Sequence, residues 1–236
     1  MRRLLLLSNS TAFGGGYLDH AIDAVRAHFA GARRIAFVPF ALRDQEGYAA
    51  RAADRLSREG LDVVRVTADA SGVAIVESAD AVFVGGGNTF RLLRLMRGSG
   101  VLAVLRRRGS DGMPYMGVSA GTNVAAPTIR TTNDMPIVEP GGFDALGLVP
   151  FQINPHFIDA DPESRHMGET REERLREYLE ENEVPVVGLR EGAWLRVEGD
   201  RVRLQGANGA RLFRKGRLPA DWPLGGEADL GLTEIP

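Results

Sequence analysis

The sequence predicts an α/β protein: a mostly parallel sheet enclosed between two layers of helices, α/β/α. Two observations lead there. Over the first half of the 236 residues, short apolar runs alternate with longer amphipathic segments, the order of strand, crossover helix and next strand. The apolar runs are also hydrophobic at consecutive rather than alternate positions, as strands are when both faces are covered.

Taken in order, Arg3–Leu7 is the first strand. Its four leucines follow two arginines, a beginning that superficially resembles a signal peptide, but the run is too short and Ser8-Asn9-Ser10 interrupts it. Tyr17–Phe29 follows as a helix, then strand Ile35–Val38, helix Gln45–Glu59, strand Val63–Val66, strand Ala81–Val84, helices Thr89–Met96 and Val101–Arg108, and strand Tyr115–Val118. Gly60 and Gly109 stand just past two of these helices, where a left-handed glycine ends a helix. Beyond this the pattern loosens. Ala126–Gly142, rich in Pro, Thr, Asn and Gly, reads as an ordered excursion. Phe151-Gln152-Ile153 is a short strand ending at Asn154-Pro155-His156, Glu169–Glu180 is a charged helix, and Val184–Leu189 is a strand. Trp194–Val197 and Arg201–Leu204, joined through Glu198-Gly199-Asp200, form a C-terminal hairpin. No repeat or linker divides the chain, so one domain spanning residues 1–236 is expected.

Composition narrows the function. A net charge of -2, with 44% hydrophobic and 25% charged residues, gives no electrostatic footprint for nucleic acid or an anionic membrane. Lys215 is the only lysine; the arginines are scattered among acids. With no cysteine, a thiolate nucleophile and cysteine-bound zinc are excluded. The four histidines, His20, His28, His156 and His166, include no pair at the close helical spacing of a metal site, so no metal or organic cofactor is expected. No stretch reaches transmembrane length, and a cytoplasmic location is expected.

Chemistry concentrates in Gly117-Val118-Ser119-Ala120-Gly121, directly behind Met113-Pro114-Tyr115-Met116. A serine among small residues, where a buried strand turns into a helix, is the pattern of a nucleophile elbow; an ordinary glycine-serine turn is the bland alternative. A serine hydroxyl needs a base, and the base needs an orienting group. His156, in a polar loop at a strand end, is the best base; His20 and His28 belong to a helix, and His166 follows a charged loop. Two carboxylates compete for the third place. Glu191 lies just past a strand in Leu189-Arg190-Glu191-Gly192, and Asp134 lies on the excursion in Thr131-Thr132-Asn133-Asp134. The convergence of neighbouring strand ends favours Glu191, whose structural alternative is a surface ion pair with Arg190 or another arginine. An oxyanion requires inward backbone N–H groups. Ala120 offers one, and Gly85-Gly86-Gly87-Asn88 offers a glycine nest before a helix. A phosphate cradle is the competing reading of that nest, although no Walker lysine follows. Gly14-Gly15-Gly16 suggests an active-site rim.

Val84-Gly85-Gly86-Gly87-Asn88-Thr89, Gly117-Val118-Ser119-Ala120-Gly121 and Asn154-Pro155-His156-Phe157, in this order, resemble the peptidase E family, the α-aspartyl dipeptidases of serine peptidase family S51. The similarity runs from Leu6-Leu7-Ser8-Asn9-Ser10 to Leu189-Arg190-Glu191-Gly192. It implies a fold like that of class I glutamine amidotransferases (flavodoxin-like), with serine in place of cysteine. It also implies hydrolysis of Asp-X dipeptides by a Ser-His-Glu triad through an acyl-enzyme. On this chain that means Ser119, His156 and Glu191, with Gly87 and Ala120 as oxyanion donors. By the same resemblance Arg171 holds the substrate β-carboxylate, Asn88 is a substrate contact, and Asn133 and Asp134 are contacts for the free amine. The expected partner is a small peptide, with a homodimer as a further expectation. A cyanophycinase-like peptidase, another serine acyl hydrolase or esterase using Asp134, and a non-catalytic amidotransferase-like binding module are the competing functions. The tail after Gly206 carries no motif.

Overall fold

The computed structural model of the chain describes residues 1–163, 165, 167–226, 228 and 230–231; His166 lies outside them. Five parallel strands form the heart of a seven-stranded sheet: β1 (Arg3–Leu7), β2 (Arg34–Val38), β3 (Asp62–Arg65), β4 (Ala81–Val84) and β5 (Tyr115–Val118). The hairpin β8 (Ala193–Glu198) and β9 (Arg201–Gly206) joins antiparallel to β1, giving the order β3-β2-β4-β5-β1-β8-β9. Alternation along β1 separates the two cores. Leu5 and Leu7 pack with α1 (Ile22–His28) and α2 (Gln45–Ser57), whereas Leu4 and Leu6 face α3 (Ala70–Ser78), α4 (Thr89–Gly98) and α5 (Val101–Ser110). All four leucines are fully buried, which is why the run is continuously apolar.

A second sheet, order β11-β10-β7-β6, comes from the irregular half: β6 (Gln152–Phe157), β7 (Val186–Arg190), β10 (Ala210–Phe213) and β11 (Ala220–Trp222). One buried cluster runs from Leu4 and Leu6 through to Val187, Leu189 and Leu212, so apolar packing is continuous between the sheets. Helix α7 (Arg171–Glu181) covers the second sheet through Leu175 and Leu179 against Phe157 and Phe213. Its start is fixed by a capping box. The Thr170 hydroxyl accepts from the Glu173 amide, and the Glu173 carboxylate accepts from the Thr170 amide.

Several expectations need correction. Gly109 does not end a helix: α5 continues through Ser110, and Gly109 is there because a Cβ would meet the Leu148 side chain at 2.8 Å. Gly60, at φ +76°, does what was expected of it. The first helix begins at Ile22, after a short 3-10 turn over Asp19–Ala21, rather than at Tyr17. Helix α3 was not foreseen, nor were β10 and β11. The first is nucleated by Asp69, whose carboxylate accepts from the Ser71 and Gly72 amides. Finally, β5 is not a neighbour of β6 and β7; they belong to different sheets.

Candidate active site

Ser119 follows β5 with φ 52° and ψ −112°, a strained conformation for a residue with a side chain. Close approaches on both sides enforce the turn. A Cβ on Gly117 would lie 2.4 Å from the Gly121 carbonyl oxygen, and one on Gly121 would lie 2.1 Å from that of Val84. The buried Tyr115 hydroxyl donates to the Gly121 carbonyl at 2.5 Å. The Ser119 amide donates to Leu7, tying the elbow to β1. The short helix α6 (Ala120–Asn123) leads away from it.

His156 reaches this serine from the second sheet by an irregularity in the backbone. Strand β6 continues through Pro155 and His156 instead of ending before them. The β6–β7 register pairs Pro155 with Leu189 and Phe157 with Arg190, so His156 is the extra residue of a bulge, at φ 54°. A bulge turns one side chain out of its normal alternation. Ser8 secures it: its fully buried hydroxyl accepts from the His156 amide at 2.8 Å and donates to the Leu189 carbonyl at 2.8 Å. The first residue past β1 therefore holds β6 and β7 to the elbow.

The result is a connected line of polar atoms. His156 Nε2 stands 2.9 Å from Ser119 Oγ, and Nδ1 stands 2.6 Å from Glu191 Oε1. With the Nδ1 proton donated to Glu191, Nε2 is free to accept the serine proton. Glu191 is held from behind. Asn9 accepts from the Gly192 amide at 2.8 Å, and Asn208 donates to the Glu191 carbonyl at 2.7 Å. Arg190 is not the partner of Glu191; it binds Asp159 through two nitrogens and Asp221 through one, which keeps the Asp159 carboxyl below its ordinary range. At 55% side-chain exposure Glu191 acts in a solvated setting, where orientation matters more than buried charge.

Asp134 stands elsewhere. Its Oδ2 accepts from the Thr89 amide at 2.7 Å, the Thr89 hydroxyl at 2.6 Å and the Thr132 hydroxyl at 3.2 Å, so it closes the start of α4. It nevertheless lines the cavity of about 450 Å³ that contains Ser119, His156, Gly86 and Gly87. Arg171, the first residue of α7, is half-buried. Desolvation lowers its pKa, Arg174 adds to this, and the Asp134 charge opposes both. Asn88 accepts from the Arg91 amide and donates to the Met135 carbonyl. Asn133 donates to the Pro155 carbonyl and accepts from Asn154. Both asparagine side chains thus bind next to cavity-lining residues, Asn88 at Met135 beside Asp134 and Asn133 at Pro155 beside His156, while neither of them nor Arg171 is itself among that cavity's lining residues.

Within the glycine nest the amides differ. Gly86 N–H donates to the Tyr48 hydroxyl at 2.8 Å, so that donor is used. The amides of Gly87 and Ala120 have no hydrogen-bond partner among the described residues. Gly87 adopts φ +129°, and a Cβ there would strike Leu42 and the Ala41 carbonyl. Sequence reasoning missed Ser8, Asn9, Asn208, Tyr48 and Arg51, of which Asn9, Tyr48 and Arg51 also line the cavity. Ala12 and Phe13, before the Gly14–Gly16 triplet, line a neighbouring cavity with His20 and Glu191. Among the described residues both buried His20 ring nitrogens have no hydrogen-bond partner; burial lowers its pKa, opposed by Asp19 and Glu191. Among the described residues no helix is long and apolar enough to cross a membrane, and no cluster of His, Cys, Asp and Glu could hold a metal ion.

Known proteins are similar to this chain in sequence and in fold. The model of peptidase family S51 matches residues 4–205. Peptidase E of Streptomyces coelicolor is 58% identical over 224 residues, covering 95% of this chain and 92% of that one. A Drosophila melanogaster protein named "Probable alpha-aspartyl dipeptidase" is 46% identical over 90% of both chains. Peptidase E of Salmonella typhimurium is 47% identical over 90% of this chain and 94% of that one. In fold, the crystal structure of a peptidase from an acI-B1 actinobacterium superimposes with a TM-score of 0.72 at 16% identity, covering 97% of this chain and 96% of that one. The chain belongs to peptidase family S51.

Proposed function

We propose that the protein is a serine dipeptidase that hydrolyses dipeptides with an N-terminal aspartate. The observation that carries this reading is the unbroken line from Ser119 through His156 to Glu191 beside a cavity lined by Gly87, with the Gly87 and Ala120 amides unpaired among the described residues. His156 takes the Ser119 proton as Oγ attacks the peptide carbonyl, and the Gly87 and Ala120 amides donate to the oxyanion. The imidazolium passes its proton to the leaving amino group, and the C–N bond breaks. Water, deprotonated by the same imidazole, then cleaves the aspartyl ester and restores the serine hydroxyl. Glu191 fixes the imidazole and stabilises its cation.

The aspartyl selectivity follows from charge. Arg171 offers a planar fork to the substrate β-carboxylate, and Asp134 offers an anion to the free amine; Asn88 and Asn133 hold the walls that present them. The names of two relatives, a peptidase E at 58% and an aspartyl dipeptidase at 46% identity, support the same substrate class. A hydrolysis screen of Asp-X, Glu-X, Asn-X, Leu-X and β-aspartyl dipeptides, run beside a panel of acyl esters, tests it. Cleavage confined to Asp-X is the expected result; equal turnover of Leu-X would overturn the specificity, and turnover of acyl esters alone would overturn the peptidase reading.

A further inference from the structure

A dipeptidase must also recognise where its substrate ends. A free C-terminal carboxylate, one residue beyond the scissile bond, is the feature that distinguishes a dipeptide from a longer peptide. Arg171 and Asp134 account for the groups on the acyl side; the leaving residue needs a partner of its own.

One cation lies on the other side. Arg51 lines the same cavity as Ser119, Gly87 and His156, and among the described residues it is the only arginine or lysine in that lining. It projects from α2, which packs on the Leu5 and Leu7 face of the main sheet, whereas Asp134 is bound to the start of α4 on the opposite face. The serine stands past the carboxyl end of β5, the central strand of that sheet, between those faces. The cavity therefore carries an anion at one flank and a guanidinium at the other, the reverse of the amine-to-carboxylate polarity of a dipeptide.

Arg51 is also positioned and available. Tyr48 lies three residues earlier on α2, so the two side chains share one helix face. The Tyr48 hydroxyl accepts from the Gly86 amide, which ties that face to the oxyanion nest. A Cβ on Gly85 would lie 2.6 Å from the Tyr48 ring, so glycine is required for this contact. Among the described residues Arg51 has no ion pair or hydrogen bond, unlike Arg55 one turn on, which binds Asp19 and Glu59. Its charge is felt by Tyr17 and Tyr48, whose pKa values it lowers against the larger effect of burial.

We infer that Arg51 binds the C-terminal carboxylate of the leaving residue and so sets the enzyme's preference for dipeptides. The inference rests on the aspartyl dipeptidase reading, and its test separates the two. Purified native protein and the variants Arg51→Gln and Arg51→Lys are assayed on Asp-Leu and on Asp-Leu amide, which lacks only the terminal charge. Native enzyme should favour Asp-Leu. The ratio of kcat/KM values, Asp-Leu over the amide, should fall roughly 10- to 100-fold in Arg51→Gln, mainly through KM, as expected for one lost charge-assisted contact. Arg51→Lys should give an intermediate ratio, and thermal denaturation identifies a variant that fails to fold. If native protein cleaves both substrates and the ratio is unchanged in either folded variant, the role of Arg51 is overturned while the aspartyl reading stands. If native protein cleaves neither, the aspartyl reading itself fails.

Discussion

The two sheets build their halves of the proposed active site, the proposed nucleophile on one and the proposed base and carboxylate on the other, by different means. On the seven-stranded sheet, the nucleophile is placed by backbone crowding: Gly117 and Gly121 leave no room for a Cβ, and Ser119 is forced to φ 52°. On the four-stranded sheet, the base and carboxylate are placed by hydrogen bonds between distant segments. Ser8 binds the His156 amide and the Leu189 carbonyl across 148 and 181 residues, and Asn9 binds Gly192 across 183. The difference teaches where each half is vulnerable. Steric placement rests on backbone crowding within one sheet, Val84 against Gly121 included, and survives loss of single polar contacts. Placement by hydrogen bonds depends on partners that come together only after the whole chain has folded.

The largest effect that sharpens this contrast is expected at the carboxylate. Glu191→Gln should lower kcat by about 10³-fold, because the imidazole loses the partner that orients it and stabilises its cation. Asp134→Asn should instead raise KM by about tenfold with kcat nearly retained. Steady-state kinetics on Asp-Leu compares them, and a severe kcat loss confined to Asp134→Asn would reverse the assignment.

Next is the tie between the sheets. Ser8→Ala leaves a buried His156 amide unpaired, at a cost of about 1–3 kcal/mol. Its melting temperature should fall by several degrees and kcat should drop with little change in KM. Unchanged melting and kcat would mean that the bulge is held by other contacts.

The smallest effect lies away from both halves. His28, buried in α1 beside Phe29, has a pKa lowered from 6.5 to about 3 by burial, with the charges of Arg3 and Arg196 adding to it. The unfolded chain takes up this proton first, so stability falls as pH drops from about 6.5 towards 3, by about 2 kcal/mol between pH 7 and pH 5. Denaturant titrations at the two pH values should show this loss in His156→Ala and much less of it in His28→Leu. An equal loss in His28→Leu would place the acid sensitivity elsewhere.

The same contrast explains what could be read from the sequence. The parallel strands and the elbow were legible because continuous hydrophobicity and small residues around a serine are local signals. Glu191 was legible as a candidate because it follows an apolar strand. The bulge at His156 was not, since it exists only in the register of β6 against β7. Strand β10, only Ala-Arg-Leu-Phe, is defined by its pairing with β7 and β11. Helix α3 combines Gly72 with Val73, Ile75 and Val76, weak helix formers whose start depends on the Asp69 cap. Gly109 misled because glycine at a helix end and glycine beneath a packed leucine look alike in one dimension. Arg51 is one of 28 arginines, and only its three-residue spacing from Tyr48 hints at a shared face.

Hydrolysis of Asp-Leu by Ser119→Ala bears most directly on the central claim, that this serine, His156 and Glu191 act as one nucleophilic unit. The account predicts a folded variant whose kcat is lower by about 10⁴- to 10⁶-fold, a loss not deepened much by adding His156→Ala. Turnover within about tenfold of the native enzyme would contradict it, since no comparable reduction of the barrier could then be assigned to the hydroxyl.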